Sequence, residues 1–213
     1  MKPLCLVGMS GVGKSFWSQR LVRDAGFVRH DCDGAIGEQL ASLVSPAPGE
    51  STVNALGRWM GMPWSAGYDA REARYLELEH QVTRDALEAA AGAVSADPAR
   101  HVIDSTGSVV YLPASLLDDL RARCHVVYLR TPESRLDAML ARYLGEPKPV
   151  VWGGAFPPGP GRSPRDALPA AYRALLAHRH ARYAALASTS LDGGLLEATS
   201  PGAHAFLAAC AAG

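Results

Sequence analysis

The sequence predicts an α/β fold in which a five-stranded parallel sheet carries helices on both faces. Short apolar segments typical of strands alternate with longer helical segments along the chain of 213 residues. One segment, residues 124–129, is continuously apolar, as expected of a strand buried on both faces of its sheet. The alternation favours a parallel sheet, because each crossover helix packs back on a face of the sheet.

The predicted elements are separated by Gly- and Pro-rich turns, including residues 45–50 and 61–67. The strands span residues 4–7, 27–30, 101–104, 124–129 and 189–191. The helices span residues 16–25, 36–44, 52–60, 69–92, 113–121, 131–144 and 167–187, with a terminal helix from 201. Apolar residues in the longest helix recur close to the 3.6-residue period. Pro113 and Pro132 stand where a helix starts, a position that tolerates proline.

The strand over residues 4–7 leads into a glycine-rich motif of the form GxxxxGK[ST], and a helix follows directly. In this context the motif predicts a phosphate-binding loop, whose backbone N–H groups and helix N-terminus attract anions. Lys14 would reach the outer phosphates, and the Ser15 hydroxyl would hold Mg²⁺. The predicted nucleotide-binding residues are Gly8, Ser10, Gly11, Val12, Gly13, Lys14, Ser15 and Phe16.

A long Pro- and Gly-rich segment interrupts the helical pattern after residue 144. A loop of that length inside a compact domain is expected to be functional or mobile. We therefore expect one domain over residues 1–213, with an acceptor-binding region at about 33–92 and a lid at about 145–166.

Composition excludes several classes of function. Lysine and arginine together number 21, as do aspartate and glutamate, so the formal net charge is zero and gives no support for nucleic-acid or membrane binding. No apolar run is long enough for a bilayer span, and the first residues leave no room for a signal peptide. The four cysteines lack metal-binding spacing, which favours a reduced, cytoplasmic protein. The oligomeric state, monomer or dimer, stays open.

Two aspartates follow one predicted strand and a third ends another, at the edge where ligands bind in such sheets. Of Asp31 and Asp33, one could order the water shell of Mg²⁺ and the other could accept a proton from an attacking hydroxyl. Asp33 could equally cap the next helix. Asp104 could be a second carboxylate for Mg²⁺ or the cap of a turn.

Basic residues on two predicted helices could bind a ligand or lie on a solvated surface. Arg71, Arg74 and Glu77 could form a solvated surface, since Arg74 and Glu77 share a helix face. Arg179 lies between His178 and His180, which cannot form a metal site easily because residues two apart do not share a helix face.

The order of these motifs resembles the shikimate kinases. A phosphate loop is followed by Asp-x-Asp, by Arg-x-x-Glu on a long helix, and by Arg142 with Pro-Lys-Pro-Val-Val at residues 147–151. Residues 172–179 together with Tyr183 are similar to the family's Arg-x-x-x-Tyr helix, and residues 200–203 resemble the segment that closes over adenine. The likeness covers nearly the whole chain, and it implies a P-loop kinase fold that uses ATP and Mg²⁺.

The resemblance also implies roles for individual residues. Asp31 would serve Mg²⁺ together with Ser15, and Asp33 would be the catalytic base beside Lys14 and Lys148. Arg74 and Arg179 would grip a carboxylate of the acceptor with their planar guanidinium groups. The remaining implied contacts are those of Arg142 and Pro201 with adenine, and those of Arg71, Ser105, Thr106 and Gly107 with the acceptor.

Two departures from the family pattern affect the expected function. Ser105-Thr106-Gly107 stands where shikimate kinases have Gly-Gly-Gly, and the lid has Lys148 in place of arginine. We therefore expect an ATP-dependent kinase for the hydroxyl of a small polar, carboxylate-bearing metabolite. A true shikimate kinase, an antibiotic or secondary-metabolite kinase, and a non-catalytic nucleotide-dependent switch are the alternatives.

Overall fold

A five-stranded parallel sheet in the order β2-β3-β1-β4-β5 forms the centre of the chain. The structure, a computed structural model, describes residues 2–92, 100–145, 148–156, 163–193 and 202–212. The strands are β1 (Leu4–Val7), β2 (Val28–Asp31), β3 (His101–Asp104), β4 (His125–Arg130) and β5 (Thr189–Asp192). This arrangement confirms the predicted fold class.

The strands are in register so that their carboxyl ends meet at one edge. Asp31 at the end of β2 is paired with Asp104 at the end of β3, and Asp104 is paired with Leu6 in the central strand. The phosphate loop leaves β1 at the same edge. Residues that are far apart in sequence therefore converge there, as in other open α/β sheets.

The described residues form eight helices around the sheet. They are α1 (Lys14–Ala25), α2 (Cys32–Gln39), α3 (Thr52–Met60), α4 (Tyr68–Ala91), α5 (Ala114–Arg123), α6 (Leu136–Gly145), α7 (Pro164–Leu186) and α8 (Ala203–Ala212). Two helices begin earlier than predicted because side chains cap them: Asp31 accepts from the Gly34 N–H, and Ser163 accepts from the Asp166 N–H. Residues Glu133–Arg135, predicted as α-helix, form a 3₁₀ turn before α6.

Apolar side chains cover both faces of the sheet. On one face, Trp17 of α1 stacks on Phe206 of α8 with ring centroids 4.4 Å apart. On the other face, α2 to α7 contribute the larger core, which includes Ile36, Tyr75 and Trp152. The four cysteines are free and buried, and no helix among the described residues has the length and apolar character that a bilayer span requires.

Candidate active site

The loop between β1 and α1 has the backbone that a phosphate-binding loop needs. Gly8, Gly11 and Gly13 all adopt positive φ angles. A Cβ at Gly8 would lie 2.7 Å from the carbonyl oxygen of Leu129, so only glycine fits there. The Lys14 ammonium is buried under this loop and donates to the carbonyls of Gly8 (2.9 Å) and Met9 (3.1 Å). Burial lowers the pKa of Lys14 from its ordinary value.

A narrow cavity opens above the phosphate loop. Ser10 and Gly11 line its floor, while Arg142 of α6 and Lys148 line its other side. Lys148 lies near enough to Lys14 for their charges to interact. The structure thus brings the phosphate loop together with Arg142 and Lys148, the two cations that the family resemblance implied. Ser15 and Phe16 are exposed at the start of α1, and Val12 is partly buried. Pro201, predicted beside adenine, lies outside the described residues.

The two carboxylates predicted for Mg²⁺ share one guanidinium. Arg29 of β2 contacts Asp104 (2.5 Å) through Nη2 and Asp31 (2.9 Å) through Nη1. Asp104 also accepts from the Ser18 hydroxyl at 2.9 Å. Sequence reasoning did not identify Arg29, whose single positive charge partly offsets that of two neighbouring carboxylates.

The predicted magnesium ligands have suitable chemistry. Ser15, Asp31 and Asp104 offer hydroxyl and carboxylate oxygens, which are the ligands that Mg²⁺ prefers. In the part of the chain that the structure describes, no group of three or more His, Cys, Asp or Glu side chains could hold a metal ion. A magnesium ion would therefore need phosphate oxygens and water as further ligands, as is usual for nucleotide-bound Mg²⁺.

Asp33 lies in the first turn of α2 and does not cap the helix, a role that Asp31 takes. Its Oδ1 accepts a hydrogen bond from the Tyr75 hydroxyl of α4 at 2.8 Å. Burial raises the pKa of Asp33 to about 6, although Lys14 and the Tyr75 hydroxyl both act to lower it. Asp33 is therefore mostly ionised at neutral pH and can accept a proton.

A second carboxylate, Glu79 of α4, is fully buried beside the loop that follows β3. The hydroxyls of Thr106 and Ser108 donate to its two oxygens, the latter at 2.7 Å. Burial raises the pKa of Glu79 to about 7, against the lowering effect of both hydroxyls. The predicted acceptor contacts of Ser105 and Thr106 are not supported, since Ser105 donates to the Leu6 carbonyl at 2.7 Å and Thr106 to Glu79.

Arg179 of α7 is buried at the centre of the site, with 2% of its surface exposed. Its guanidinium donates to the carbonyls of Gly107 (2.9 Å) and Val151. It also donates to the Tyr111 hydroxyl at 3.4 Å, and it lies over the ring of Tyr111. The structure thus brings Arg179 and Gly107 together in the site, where a hydrogen bond joins them.

The other two predicted arginines do not reach the site. Arg74 is exposed on the outer side of α4 and pairs with Glu77 at 3.1 Å. Arg71 donates to the carbonyls of Met60 and Ala66, both at 3.0 Å, and so holds the end of α3 and the following turn against α4. The surface interpretation is correct for Arg74, and Arg71 has a structural role.

Residues 148–156 of the predicted lid are docked on the N-terminal turns of α4. The Tyr68 hydroxyl donates to the Val150 carbonyl at 2.6 Å, and Glu72 accepts from the backbone N–H groups of Trp152 and Gly153. The Trp152 ring is 1% exposed. Trp152 therefore anchors this segment in the core.

The histidines beside Arg179 contact different neighbours. His180 lies 2.9 Å from the Tyr128 hydroxyl through its Nδ1 atom, while the His178 ring stacks near Tyr111. This divergence agrees with the sequence argument against a shared metal site.

Tyr75 and Glu79 are functional candidates that sequence reasoning missed. They occupy the same face of α4 as the buried residues Leu78 and Val82. A glutamate at an apolar position of a helical repeat is a detectable signal, because an ionisable group is seldom buried without a partner.

Three solved structures of shikimate kinases are similar to this chain over 90% of its length. The enzyme from Acinetobacter baumannii, in complex with shikimate, has a TM-score of 0.57 at 18% identity over 83% of that chain. The enzyme from Bacteroides thetaiotaomicron gives 0.56 at 18%, and that from Aquifex aeolicus 0.52 at 19%, each over 86% of its chain. No protein-family model and no curated protein sequence matches the chain. The chain therefore has a shikimate kinase-like P-loop kinase fold, as its motifs predicted.

Proposed function

We infer that this chain is an ATP-dependent kinase that transfers the γ-phosphoryl group to a hydroxyl of a small polar acceptor. The convergence of three side chains on the phosphate loop carries this proposal. Lys14 lies under the loop, Lys148 lies near it across the narrow cavity, and the Asp33 carboxylate interacts electrostatically with Lys14. Two cations and one base around a phosphate loop are what phosphoryl transfer to an alcohol requires.

Each group has a defined part in the proposed reaction. The loop N–H groups and Lys14 bind the phosphates, with the ammonium exchanging the Gly8 and Met9 carbonyls for phosphate oxygens. Asp33, oriented by Tyr75, accepts the proton of the acceptor hydroxyl. The acceptor oxygen then forms a bond to the γ-phosphorus while the bond to the β,γ-bridging oxygen breaks, and its electron pair leaves with ADP. Ser15, Asp31 and Asp104 would hold Mg²⁺, which would supply positive charge beside the phosphates.

The proposal is tested by replacing the cation under the loop. Purified Lys14→Ala protein should lose acceptor-stimulated ADP release by about 1,000-fold or more, as expected when a main charge on the phosphates is removed. Lys2→Ala is the matched control, because Lys2 is exposed before β1. Calorimetric titration with Mg-ATP should detect binding to the wild type and the control.

Two outcomes would contradict the proposal. Full activity of Lys14→Ala would exclude this phosphate site. ATP binding without stimulation by any hydroxy acid, sugar, cyclitol or amino alcohol would support a nucleotide-dependent switch instead.

A further inference from the structure

The acceptor side of the site has fewer available cations than the sequence predicted. Two arginines were expected to grip a carboxylate of the acceptor. Arg74 lies on the exposed side of α4 and is paired with Glu77. Of these two arginines, Arg179 is therefore the one left to meet an acceptor carboxylate.

The guanidinium of Arg179 is already engaged by the protein. Its Nε donates to the Tyr111 hydroxyl, Nη2 to the Val151 carbonyl, and Nη1 to the Gly107 carbonyl and the Met9 sulfur. Arginine has five N–H donors, and these contacts with described residues engage four of them. A bidentate grip on a carboxylate needs two parallel N–H donors, so Arg179 cannot provide one in this arrangement.

Two carboxylates, the fully buried Glu79 and the partly buried Asp33, stand on the same side of the site. Glu79 interacts electrostatically with both Asp33 and Arg179, so its charge already offsets that of the guanidinium. An acceptor carboxylate would add a third negative group beside Glu79 and Asp33. Arg179, the cation nearby, already interacts with Glu79. Like charges brought together away from water repel strongly.

The same groups suit an acceptor whose polar atoms are hydroxyls. A carboxylate is an acceptor of several hydrogen bonds, and a hydroxyl can both donate and accept. Asp33 uses Oδ1 for Tyr75, which leaves Oδ2 to meet the reacting hydroxyl. The Tyr75 hydroxyl contacts Asp33 and the Tyr111 hydroxyl contacts Arg179, so both groups already have phenolic partners.

We propose that the acceptor is an uncharged polyhydroxyl compound, and that Glu79 is the residue that disfavours acceptors carrying a carboxylate. This inference rests on the proposed kinase function and specifies its acceptor. It replaces the expectation of a carboxylate-bearing metabolite, which depended on both Arg74 and Arg179.

The test compares acceptors that differ only in charge. The pairs are glycerol and glycerate, glucitol and gluconate, methyl quinate and quinate, and methyl shikimate and shikimate. ADP release is measured at saturating Mg-ATP and pH 8. In each active pair, kcat/KM should be about tenfold or more higher for the neutral compound, the size of effect expected of a buried like charge. A higher value for the acids, shikimate included, would overturn the inference while leaving the kinase function intact.

Loss of all activity would have a different meaning. If no compound stimulates ADP release although Mg-ATP binds, both the acceptor inference and the kinase function fail. If Mg-ATP does not bind, the phosphate site itself fails.

Glu79→Gln tests the role of the carboxylate in selection. The amide can still pair with Thr106 and Ser108, so the loop should keep its place while the charge is lost. The ratio of kcat/KM between neutral and acidic acceptors should fall about tenfold. Glu77→Gln is the matched control, since Glu77 is exposed on the same helix, and it should leave the ratio unchanged. An unchanged ratio in Glu79→Gln would refute the assignment.

A measurement on the wild type avoids any effect of the variant on folding. Among the described residues, the titratable and charged groups that interact with Glu79 are Cys32 and Asp33 of α2, Tyr75 of α4, and Arg179 and Tyr183 of α7. Hydroxy acids stay ionised from pH 6 to 8, whereas Glu79 gains a proton over this range. The preference for neutral acceptors should therefore decrease as the pH falls from 8 to 7, where Glu79 gains its proton while Asp33, with a pKa of about 6, stays mostly ionised. A preference that stays constant, or increases, would count against Glu79.

Discussion

The buried Glu79 carboxylate makes a prediction about stability that does not depend on the substrate. A carboxyl group whose pKa is raised in the folded chain binds its proton more tightly there than in the unfolded chain. The protonated form therefore stabilises the folded chain. This contribution is complete below the pKa of the group in the unfolded chain, and it is lost as the pH rises through the pKa of the group in the folded chain. For Glu79 the two values are 4.5 and about 7.

The size of the effect follows from this gap. Each pKa unit corresponds to about 1.4 kcal/mol, so Glu79 should destabilise the folded chain at pH 8 by about 3 kcal/mol relative to pH 4.5. Glu79→Gln removes this group and leaves the other titrating residues in place. The free energy of unfolding of the variant minus that of the wild type should therefore rise by about 2–3 kcal/mol between pH 5 and 8.

Urea unfolding followed by tryptophan fluorescence can measure this difference, since the chain has four tryptophans. Wild type, Glu79→Gln and Glu77→Gln are compared at pH 5, 6, 7 and 8. The control should follow the wild type because Glu77 is exposed and paired only with Arg74 among the described contacts. A stability difference for Glu79→Gln that stays level over this range would refute the argument that burial raises the pKa of Glu79.

Two further predictions concern the base and the docked lid segment. Tyr75→Phe removes the 2.8 Å hydrogen bond to Asp33, which should raise the pKa of Asp33 above about 6. The acidic limb of the pH profile of kcat/KM should shift upward by about 0.5–1 pH unit, and an unmoved limb would contradict this role. Trp152→Ala empties a site that is 1% exposed, so urea unfolding should show a loss of about 3–5 kcal/mol. Trp64→Ala, at a side chain that is 37% exposed, is the control, and an equal loss in both variants would disprove the anchoring role.

The sheet could be predicted because its strands are local patterns in the sequence. The predicted bounds of β1 and β3 coincide with the observed Leu4–Val7 and His101–Asp104. Errors occurred where a side chain capped a helix earlier than the apolar pattern suggested. Asp31 starts α2 four residues before the predicted start, because the cap depends on a hydrogen bond and not on hydrophobic periodicity.

The two halves of the site differed in how far the sequence could predict them. The phosphate loop is a contiguous motif, so Lys14 and its glycines could be identified directly. The acceptor half depends on contacts between distant residues, such as Asp33 with Tyr75 and Glu79 with Thr106. No local pattern encodes those pairings.

Helix phase explains the error over Arg74. Successive residues of an α-helix differ by about 100° around the axis, so a shift of one position changes the surface that a side chain faces. Tyr75 is buried and bonded to Asp33, while Arg74 is exposed. The Arg-x-x-Glu spacing is the same whether this face of α4 is turned towards the site or towards solvent. The buried positions of α4, which include Tyr75 and not Arg74, show that the face is turned towards solvent.

Arg179 links the parts of the site that must act together. Its guanidinium contacts Gly107 in the loop after β3, Val151 in the docked segment and Met9 in the phosphate loop. Lys148 lies three residues before Val151 and lines the cavity above Ser10. Arg179, which the family resemblance assigned to the acceptor, thus holds the backbone close to Lys148. Because a buried charge without partners is costly, these contacts favour the docked arrangement, and they position Lys148 without any contribution from an acceptor carboxylate.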